Sequence, residues 1–207
     1  MNIQNILLTT KDKILSASVK LFSEKGYDAT SVRDIAQEVG IKSSSLYNHY
    51  KSKEDILQEI FVLFKNDIEQ IKFDEDKLLN QVYSIGIEEF FIRGAVNYIH
   101  IADDFRKSRI WSIISMEQYR NKKAADLILN ETERFLKITE KIFSVLIANN
   151  LIKDRNVKVL SYEYCYGLRS IHLEYLLVKS QGEDTEYLIQ RVKQRTRLFC
   201  QILKKSE

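Results

Sequence analysis

The chain has 207 residues, of which 44% are hydrophobic and 29% charged, a balance typical of a globular protein with a hydrophobic core. It contains no proline and only six glycines. Sandwiches and barrels need many turns rich in these residues, so the composition disfavours them and favours helices joined by short loops.

Targeting and membrane segments are not expected. Residues 1–5 lack a positively charged region, and the apolar stretch at 6–8 is too short for the core of a signal peptide. The longest apolar run, 60–64, is far below the ~20 residues of a membrane-spanning helix. Cys165 and Cys200 lack metal-ligand spacing and are expected to be buried, reduced thiols. Together these features predict a cytoplasmic protein.

Four helices are predicted in the first seventy residues, at about 11–25, 31–39, 43–50 and 52–71. Gly26 and Gly40 are suited to ending the first two helices. Ser31, with Asp34 three residues later, is suited to beginning the second, and Ser52 to beginning the fourth. The order is therefore helix, short helix, tight turn, short helix, long helix.

The rest of the chain keeps helical spacing. Further helices are predicted near 77–94, 96–103, 106–120, 124–150, 156–180 and 184–204. The predicted fold is all-α, with a three-helix, helix-turn-helix domain at residues 1–53 and a larger C-terminal helical bundle at 54–207. The first of these carries the whole net charge of +3 and has no acid between Lys42 and Lys53, which suits a polyanionic partner.

The last two predicted helices are apolar on more than one side. A helix of this kind must bury more than one side, so we expect residues 156–204 to form a homodimer interface. Gly167 is unfavourable inside a helix, and one explanation is a close helix–helix approach at this interface. The alternative is a thick core within a monomer.

A short helix, a tight turn and a second short helix form the unit that places one helix in the DNA major groove. The predicted helix at 43–50 directs Leu46 inward and offers hydroxyl, amide and imidazole groups on its outer face, which can hydrogen-bond to bases and phosphates. These outer residues are Ser43, Ser44, Tyr47, Asn48 and His49. Lys53, at the start of the next helix, is placed to meet a phosphate.

Several short motifs occur in order over residues 11–60, about a quarter of the chain. They are Phe22-Ser23-Glu24-Lys25-Gly26-Tyr27, Thr30-Ser31-Val32-Arg33-Asp34-Ile35-Ala36, Gly40-Ile41, and Ser45-Leu46-Tyr47-Asn48-His49-Tyr50-Lys51-Ser52-Lys53-Glu54. In this the chain closely resembles the N-terminal domain of the TetR (tetracycline-repressor) family. The resemblance implies a dimeric transcription regulator, most often a repressor, that binds double-stranded DNA.

The resemblance also implies roles for individual residues. Thr30 or Ser31 would contact a phosphate, as would Tyr47, His49 and Lys53, whereas Arg33, Ser43, Ser44 and Asn48 match positions that can face bases. Lys42 stands where the family often has a capping serine, and Ser44 where it often has glycine. Lys42 is therefore expected to face the DNA as well. For Ser43 and Ser44, helix capping is an equal alternative.

Members of this family usually hold a small-molecule effector in the C-terminal bundle, and its binding moves the DNA-binding heads apart. The effector itself is unknown. Aromatic and apolar candidates for lining its pocket are Phe64, Phe91, Tyr98, Phe105, Trp111, Met116 and Tyr119. Such a lining would suit an amphipathic or aromatic ligand, although aromatic residues at helical spacing are also ordinary core residues.

Other functional classes find less support. The chain has no His-Glu-x-x-His or Glu-x-x-His pattern and no glycine-rich phosphate loop, so we expect neither an enzyme nor a cofactor or metal site. The predicted function is a ligand-relieved repressor that binds a palindromic operator as a dimer. One alternative is an architectural or cell-cycle DNA-binding factor without an inducer. Another is a protein-interaction module with a vestigial helix-turn-helix.

Overall fold

The computed structural model describes residues 9–204. Over this range the chain forms ten α-helices and one 3-10 turn, and no strand. The helices are α1 (Thr10–Lys25), α2 (Val32–Val39), α3 (Ser43–Leu46), α4 (Lys53–Glu69), α5 (Glu75–Ile85), α6 (Ile87–His100), α7 (Phe105–Glu117), α8 (Lys122–Ala148), α9 (Val157–Ser180) and α10 (Glu186–Leu203), with the 3-10 turn at Ile101–Asp103. The predicted all-α class is confirmed.

The chain divides into two compact units. The first runs to Ile71 and includes Phe105–Leu129, whereas the second contains Lys72–Asp104 and the chain from Asn130 onward. The packing therefore groups α4 and α7 with the three N-terminal helices. The predicted boundary after residue 53 divides the chain by function, into a DNA-binding part and a part for ligand binding and dimerisation. It does not coincide with the boundary of a packing unit, and the functional division stays a prediction.

Side-chain caps that could be predicted from the sequence fix the beginnings of helices in the first unit. Ser31 accepts a hydrogen bond from the backbone N–H of Asp34 (3.2 Å), and the Asp34 carboxylate accepts one in return from the N–H of Ser31 (2.7 Å). Thr9 and Asp12 form the same reciprocal box at α1. Ser52 caps α4 through the N–H of Asp55 (3.1 Å). These bonds satisfy donors that a helix start leaves unpaired.

One hydrophobic cluster holds the first unit together. Its completely buried members come from α1, α2, α3, α4, α7 and the beginning of α8, and they include Ile14, Phe22, Ile35, Leu46, Ile56, Leu57, Ile60, Ile114 and Ala124. Ion pairs add to this packing: Arg109 meets Glu24 at 2.7 Å, and Arg106 meets Asp67 at 3.3 Å. Helix α7 is thereby fixed to α1 and α4.

The second unit has its own core, built around aromatic rings. Phe91 stacks on Phe143 at 5.5 Å between ring centroids, and Tyr164 meets Phe91 edge-on at 5.3 Å. Phe199 lies 5.4 Å from Tyr164. These residues come from α6, α8, α9 and α10, so the cluster binds four helices of this unit together.

Two buried or partly buried polar groups join helices of the second unit. Arg169 of α9 forms an ion pair with Glu131 of α8, and both side chains are largely buried. Asp103 accepts hydrogen bonds from Tyr175 (2.8 Å), Lys179 and His100. Burial opposes ionisation of Asp103, yet these three donors hold its pKa at about 2.

The helix boundaries between residues 77 and 103 differ from the prediction. The single helix predicted at 77–94 is two helices, and the helix predicted at 96–103 is the end of α6 followed by the 3-10 turn. The break lies at Gly86, whose φ of 82° and ψ of 161° belong to a region that glycine occupies without steric penalty. Helix α3 is also shorter than predicted, because residues 47–49 form turns.

Gly167 admits a side chain from the neighbouring helix. A Cβ at this position would overlap the guanidinium of Arg195 of α10, which donates hydrogen bonds to the backbone oxygens of Glu163 and Tyr164 on α9. The close helix–helix approach that we predicted at a dimer interface stays a prediction, because the contact seen at Gly167 lies within one chain. That contact is made by an arginine side chain rather than by a second helix backbone.

Several other expectations can be compared with the described residues. Cys165 and Cys200 are buried and unbridged, as predicted. None of the helices within 9–204 is long and apolar enough to cross a membrane. The same range contains no cluster of three or more His, Cys, Asp or Glu side chains suited to a metal ion. The prediction about a targeting segment concerns residues 1–8, which lie outside the described residues.

Candidate DNA-binding surface

The turn between α2 and α3 is closed by a glycine in the left-handed conformation. Gly40 has a φ of 76° and a ψ of 32°, and its N–H donates to the carbonyls of Ala36 and Gln37. The N–H of Ile41 also donates to Ala36, at 2.9 Å. This satisfies the last carbonyls of α2 and redirects the chain sharply toward α3.

Two buried anchors hold α3 and the turn that follows it. Leu46 is completely buried and Tyr50 is 4% exposed, and the N–H of Tyr50 donates to the carbonyl of Leu46 at 3.1 Å. Tyr47, Asn48 and His49 lie between the anchors and are exposed. The segment thus presents a phenol, an amide and an imidazole to solvent on a fixed backbone.

The beginning of α3 is capped by backbone atoms alone. Lys42 is the N-cap residue and makes no side-chain cap hydrogen bond. The N–H of Ser45 donates to the carbonyl of Lys42 at 2.9 Å. Lys42 and Ser44 are exposed, and Ser43 is half-buried. Because Lys42 does not serve as a side-chain cap, its ammonium group is available to a partner.

At the start of α2 the two phosphate-contact candidates have different surroundings. Thr30 is completely buried, and its hydroxyl donates to the carbonyl of Gly26 at 2.8 Å. Ser31 is exposed, as is Arg33 two residues later. Thr30 therefore closes the loop before α2, and of the pair Thr30 or Ser31 it is Ser31 whose side chain a phosphate can reach.

Lys53 is engaged with the protein itself. Its Nζ donates to the carbonyl oxygens of Tyr27 (2.7 Å) and Thr30 (2.8 Å) and lies 4.1 Å from the centroid of the Tyr27 ring. The Tyr27 hydroxyl in turn donates to Glu54 at 3.0 Å. This network could not be predicted from the sequence, because the bonded residues are 23 to 27 positions apart and no local pattern links them.

The N-terminal helices also match a family model. Residues 14–60 match the model described as bacterial regulatory proteins, tetR family. Over 147 residues the chain is 32% identical to IcaR of Staphylococcus aureus strain Newman, the negative transcriptional regulator of the biofilm operon icaADBC, covering 66% of this chain and 77% of IcaR. The chain belongs to the tetR family of bacterial regulatory proteins.

Solved structures of the family share the whole fold. A TetR-family transcriptional regulator from Mesorhizobium loti has a TM-score of 0.69 at 20% identity, covering 95% of this chain and 97% of its own. FadR of Bacillus subtilis, solved in complex with stearoyl-CoA, has a TM-score of 0.60 at 19% identity, covering 92% and 98%. As a tetR-family member, the chain is a DNA-binding transcriptional regulator and not an enzyme, which confirms those predictions.

The seven effector-pocket candidates are divided between the two units of this tetR-family chain. The first unit holds Phe64, Phe105, Trp111, Met116 and Tyr119, whereas the second holds Phe91 and Tyr98. Phe64 packs on Trp111 at 5.4 Å, but Tyr119 is 90% exposed and Phe105 is 70% exposed. In this fold Tyr119 and Phe105 therefore face solvent, and the binding of an effector by the seven residues stays a prediction.

The two candidates in the second unit are tightly packed. Phe91 belongs to the aromatic cluster described above, and Tyr98 stacks on Phe135 at 4.9 Å with His172 on its other side. A groove of about 460 Å³ lies elsewhere in this unit, between α9 and α10. None of the seven candidates lines this groove. Its lining residues are Arg155, Asn156, Val159, Leu160, Glu163, Arg195, Leu198, Phe199 and Ile202.

Proposed function

We propose that the protein is a dimeric repressor that binds a palindromic operator and is released from it by a small-molecule effector. The observation that carries this proposal is the segment after Leu46, where exposed Tyr47, Asn48 and His49 follow a helix-turn-helix whose core is completely buried. The relative IcaR is a negative regulator, which supports repression over activation. Because its partner is chromosomal DNA, we place the protein in the cytoplasm.

The contacts divide into two groups by chemistry. Tyr47, His49 and Ser31 offer single hydrogen bonds that suit phosphate oxygens, and Lys42 adds a charge. Asn48 and Arg33 can each make two hydrogen bonds to one base edge. Ser43 and Ser44, at the beginning of α3, belong to the same group. The first group supplies affinity on any sequence, whereas the second supplies the choice of operator.

A second copy of the chain is the proposed partner of α9 and α10. Five exposed apolar side chains of α9 are Val159, Tyr162, Tyr166, Leu173 and Leu177, and three of α10 are Tyr187, Leu198 and Ile202. At 3.6 residues per turn, each set falls within an arc of about 60° on its helix. A continuous apolar stripe of this kind requires cover, and a two-fold dimer through residues 156–204 supplies it.

Dimerisation determines how the operator is read. Two recognition segments related by a two-fold axis address successive major grooves, about 34–36 Å apart, so the operator is palindromic. An effector that prefers a state with different spacing weakens binding by the ratio of its affinities for the two states. That FadR was solved with stearoyl-CoA supports a small-molecule effector, and the seven aromatic and apolar residues named from the sequence remain candidates for binding it.

Selection of genomic fragments by the purified protein, followed by footprinting at two salt concentrations, tests this proposal. The expected result is one or a few protected palindromes whose half-sites are separated by one helical turn of DNA. Protection of many unrelated sites, lost uniformly as the salt concentration rises, would instead indicate an architectural factor. Absence of salt-dependent DNA binding would indicate a vestigial helix-turn-helix.

Two substitutions separate affinity from sequence choice. Tyr47→Phe removes one phosphate hydrogen bond from each subunit and is expected to weaken binding to every sequence by about tenfold. Asn48→Ala is expected to cost about as much on the operator but little on operators altered at the base that Asn48 reads. Titrations against single-base operator variants measure both, with Tyr119→Phe, an exposed tyrosine outside the surface, as the control. Equal losses on every operator for Asn48→Ala would contradict its assignment.

A further inference from the structure

Lys53 holds the loop between α1 and α2 against the first turn of α4. Its ammonium group donates to two backbone carbonyls, of Tyr27 at 2.7 Å and of Thr30 at 2.8 Å. Hydrogen bonds from a charged donor are roughly twice as strong as neutral ones, and the Tyr27 ring 4.1 Å below the ammonium adds a cation–π contact. Lys53 therefore fixes both ends of the segment 27–30.

Neighbouring bonds close the same loop from other directions. The Tyr27 hydroxyl donates to Glu54 at 3.0 Å, and burial together with this carboxylate raises the pKa of Tyr27. The buried Thr30 hydroxyl donates back to Gly26. Ser31, the N-cap of α2, is the next residue, so the position of this loop sets where α2 begins.

The surroundings of Lys53 do not favour the binding of a DNA phosphate. The Glu117 carboxylate is repelled by Asp28 and Glu54, and Arg120 and Lys53 offset this repulsion. Burial raises the pKa of Glu117, and the repulsion from Asp28 raises it further. Two of the three N–H donors of the Lys53 ammonium are already used. A phosphate approaching Lys53 would therefore compete with the carbonyls of Tyr27 and Thr30, next to the Glu54 carboxylate that binds the Tyr27 hydroxyl.

We propose that Lys53 is a positioning residue for DNA binding, and that it does not neutralise a phosphate itself. It acts by holding the loop at 27–30, and through it Ser31 and the first turn of α2, in the conformation that the DNA meets. The inference rests on the DNA-binding surface proposed above. It replaces the direct phosphate contact that the family resemblance implies for this residue.

The salt dependence of operator binding distinguishes the two roles. Loss of a direct phosphate contact makes the slope of log K against log salt shallower by about 0.9 per contact, or about 1.8 for the two subunits of a dimer. Lys53→Met keeps the length of the side chain and removes its charge. We expect it to weaken operator binding by at least about tenfold with an unchanged slope. Lys42→Met, which removes an exposed cation of the proposed surface, is the matched control and is expected to make the slope shallower.

Amide hydrogen exchange in the free protein provides a second measurement that needs no DNA. If Lys53 positions the loop, Lys53→Met accelerates exchange across residues 27–34, while Lys42→Met leaves that segment unchanged. A shallower slope for Lys53→Met overturns the proposal, and so does unchanged exchange in this segment. Should the parent protein itself show no salt-dependent operator binding, the proposed function fails, yet the exchange experiment still tests the loop.

A second variant, which changes no charge, keeps the proposal testable. If Lys53→Met does not fold, Tyr27→Phe removes only the hydrogen bond to Glu54 and keeps the ring beneath the ammonium. The expected result is faster exchange over 27–34 and weaker operator binding at the parental slope. Parental exchange and parental affinity in Tyr27→Phe would overturn the proposal.

Discussion

Replacing Leu173 and Leu177 together by glutamate is expected to convert the protein into monomers and to lower its operator affinity by about 100-fold or more. Both leucines are 55% exposed and lie on the apolar stripe of α9. In a two-fold dimer the double substitution places four carboxylates in a small area, and burying a charge without a partner is strongly unfavourable. A monomer contacts only one half-site and loses the gain from binding two at once.

The comparison with a matched surface variant makes this experiment specific. Tyr83→Glu adds an acid at an exposed apolar position on α5, where the side chain is 64% exposed and lies off the stripe. Light scattering at micromolar concentration gives the oligomeric state, and an operator titration gives the affinity. We expect the control to remain dimeric with parental affinity. A Leu173→Glu/Leu177→Glu protein that stays dimeric would mean that the dimer uses another face.

The N-terminal helices could be predicted closely because their boundaries depend on local chemistry. Ser31 and Asp34 satisfy each other and the helix start within three residues, and Gly40 ends α2 with a positive φ. The sequence also shows which side of the recognition segment is buried, since Leu46 is the one large aliphatic residue between Lys42 and Lys53. These features need no knowledge of the rest of the chain.

The misplaced boundary at Gly86 has a different cause. Apolar residues continue at helical spacing through this position, so periodicity alone predicts one helix at 77–94. Whether an internal glycine adopts a helical or a positive φ depends on the packing around it: Gly94 and Gly167 remain helical, whereas Gly86 breaks the chain. The sequence shows a glycine at position 86 but does not show the packing that decides whether it continues or breaks the helix.

The exposure of the proposed DNA-binding side chains could be predicted from the sequence, whereas the hydrogen bonds of Lys53 could not. Tyr47, Asn48 and His49 are polar or amphipathic residues between the apolar anchors Leu46 and Tyr50, and this pattern predicts their exposure. The hydrogen bonds of Lys53 go to carbonyls that lie 23 and 26 residues earlier, which only the folded chain brings together. The exposure of Tyr119 could not be predicted for a related reason, because residue type does not tell whether a ring faces a core or solvent.

Substitution of Arg169 by methionine is expected to lower the free energy of unfolding by about 3–5 kcal/mol, because it leaves the buried Glu131 carboxylate without its partner. The two side chains are 20% and 12% exposed. The double variant Glu131→Leu/Arg169→Met removes both charges and is expected to recover most of the loss. The exposed pair Arg191 and Glu174, at 2.8 Å with 51% and 42% exposure, provides the control: Arg191→Met is expected to cost less than about 1 kcal/mol.

The pH dependence of the same variant identifies the cause of the loss. Burial raises the pKa of Glu131 even with Arg169 beside it, and removing the arginine raises it further. The folded variant then binds a proton that the unfolded chain, with a pKa of about 4.3, has released, so its stability increases as the pH falls toward the unfolded value. Urea unfolding at fixed protein concentration is expected to show a smaller difference from the parent at pH 5.5 than at pH 8. A loss of less than about 1 kcal/mol, independent of pH, would show that water screens this pair as it screens Arg191 and Glu174.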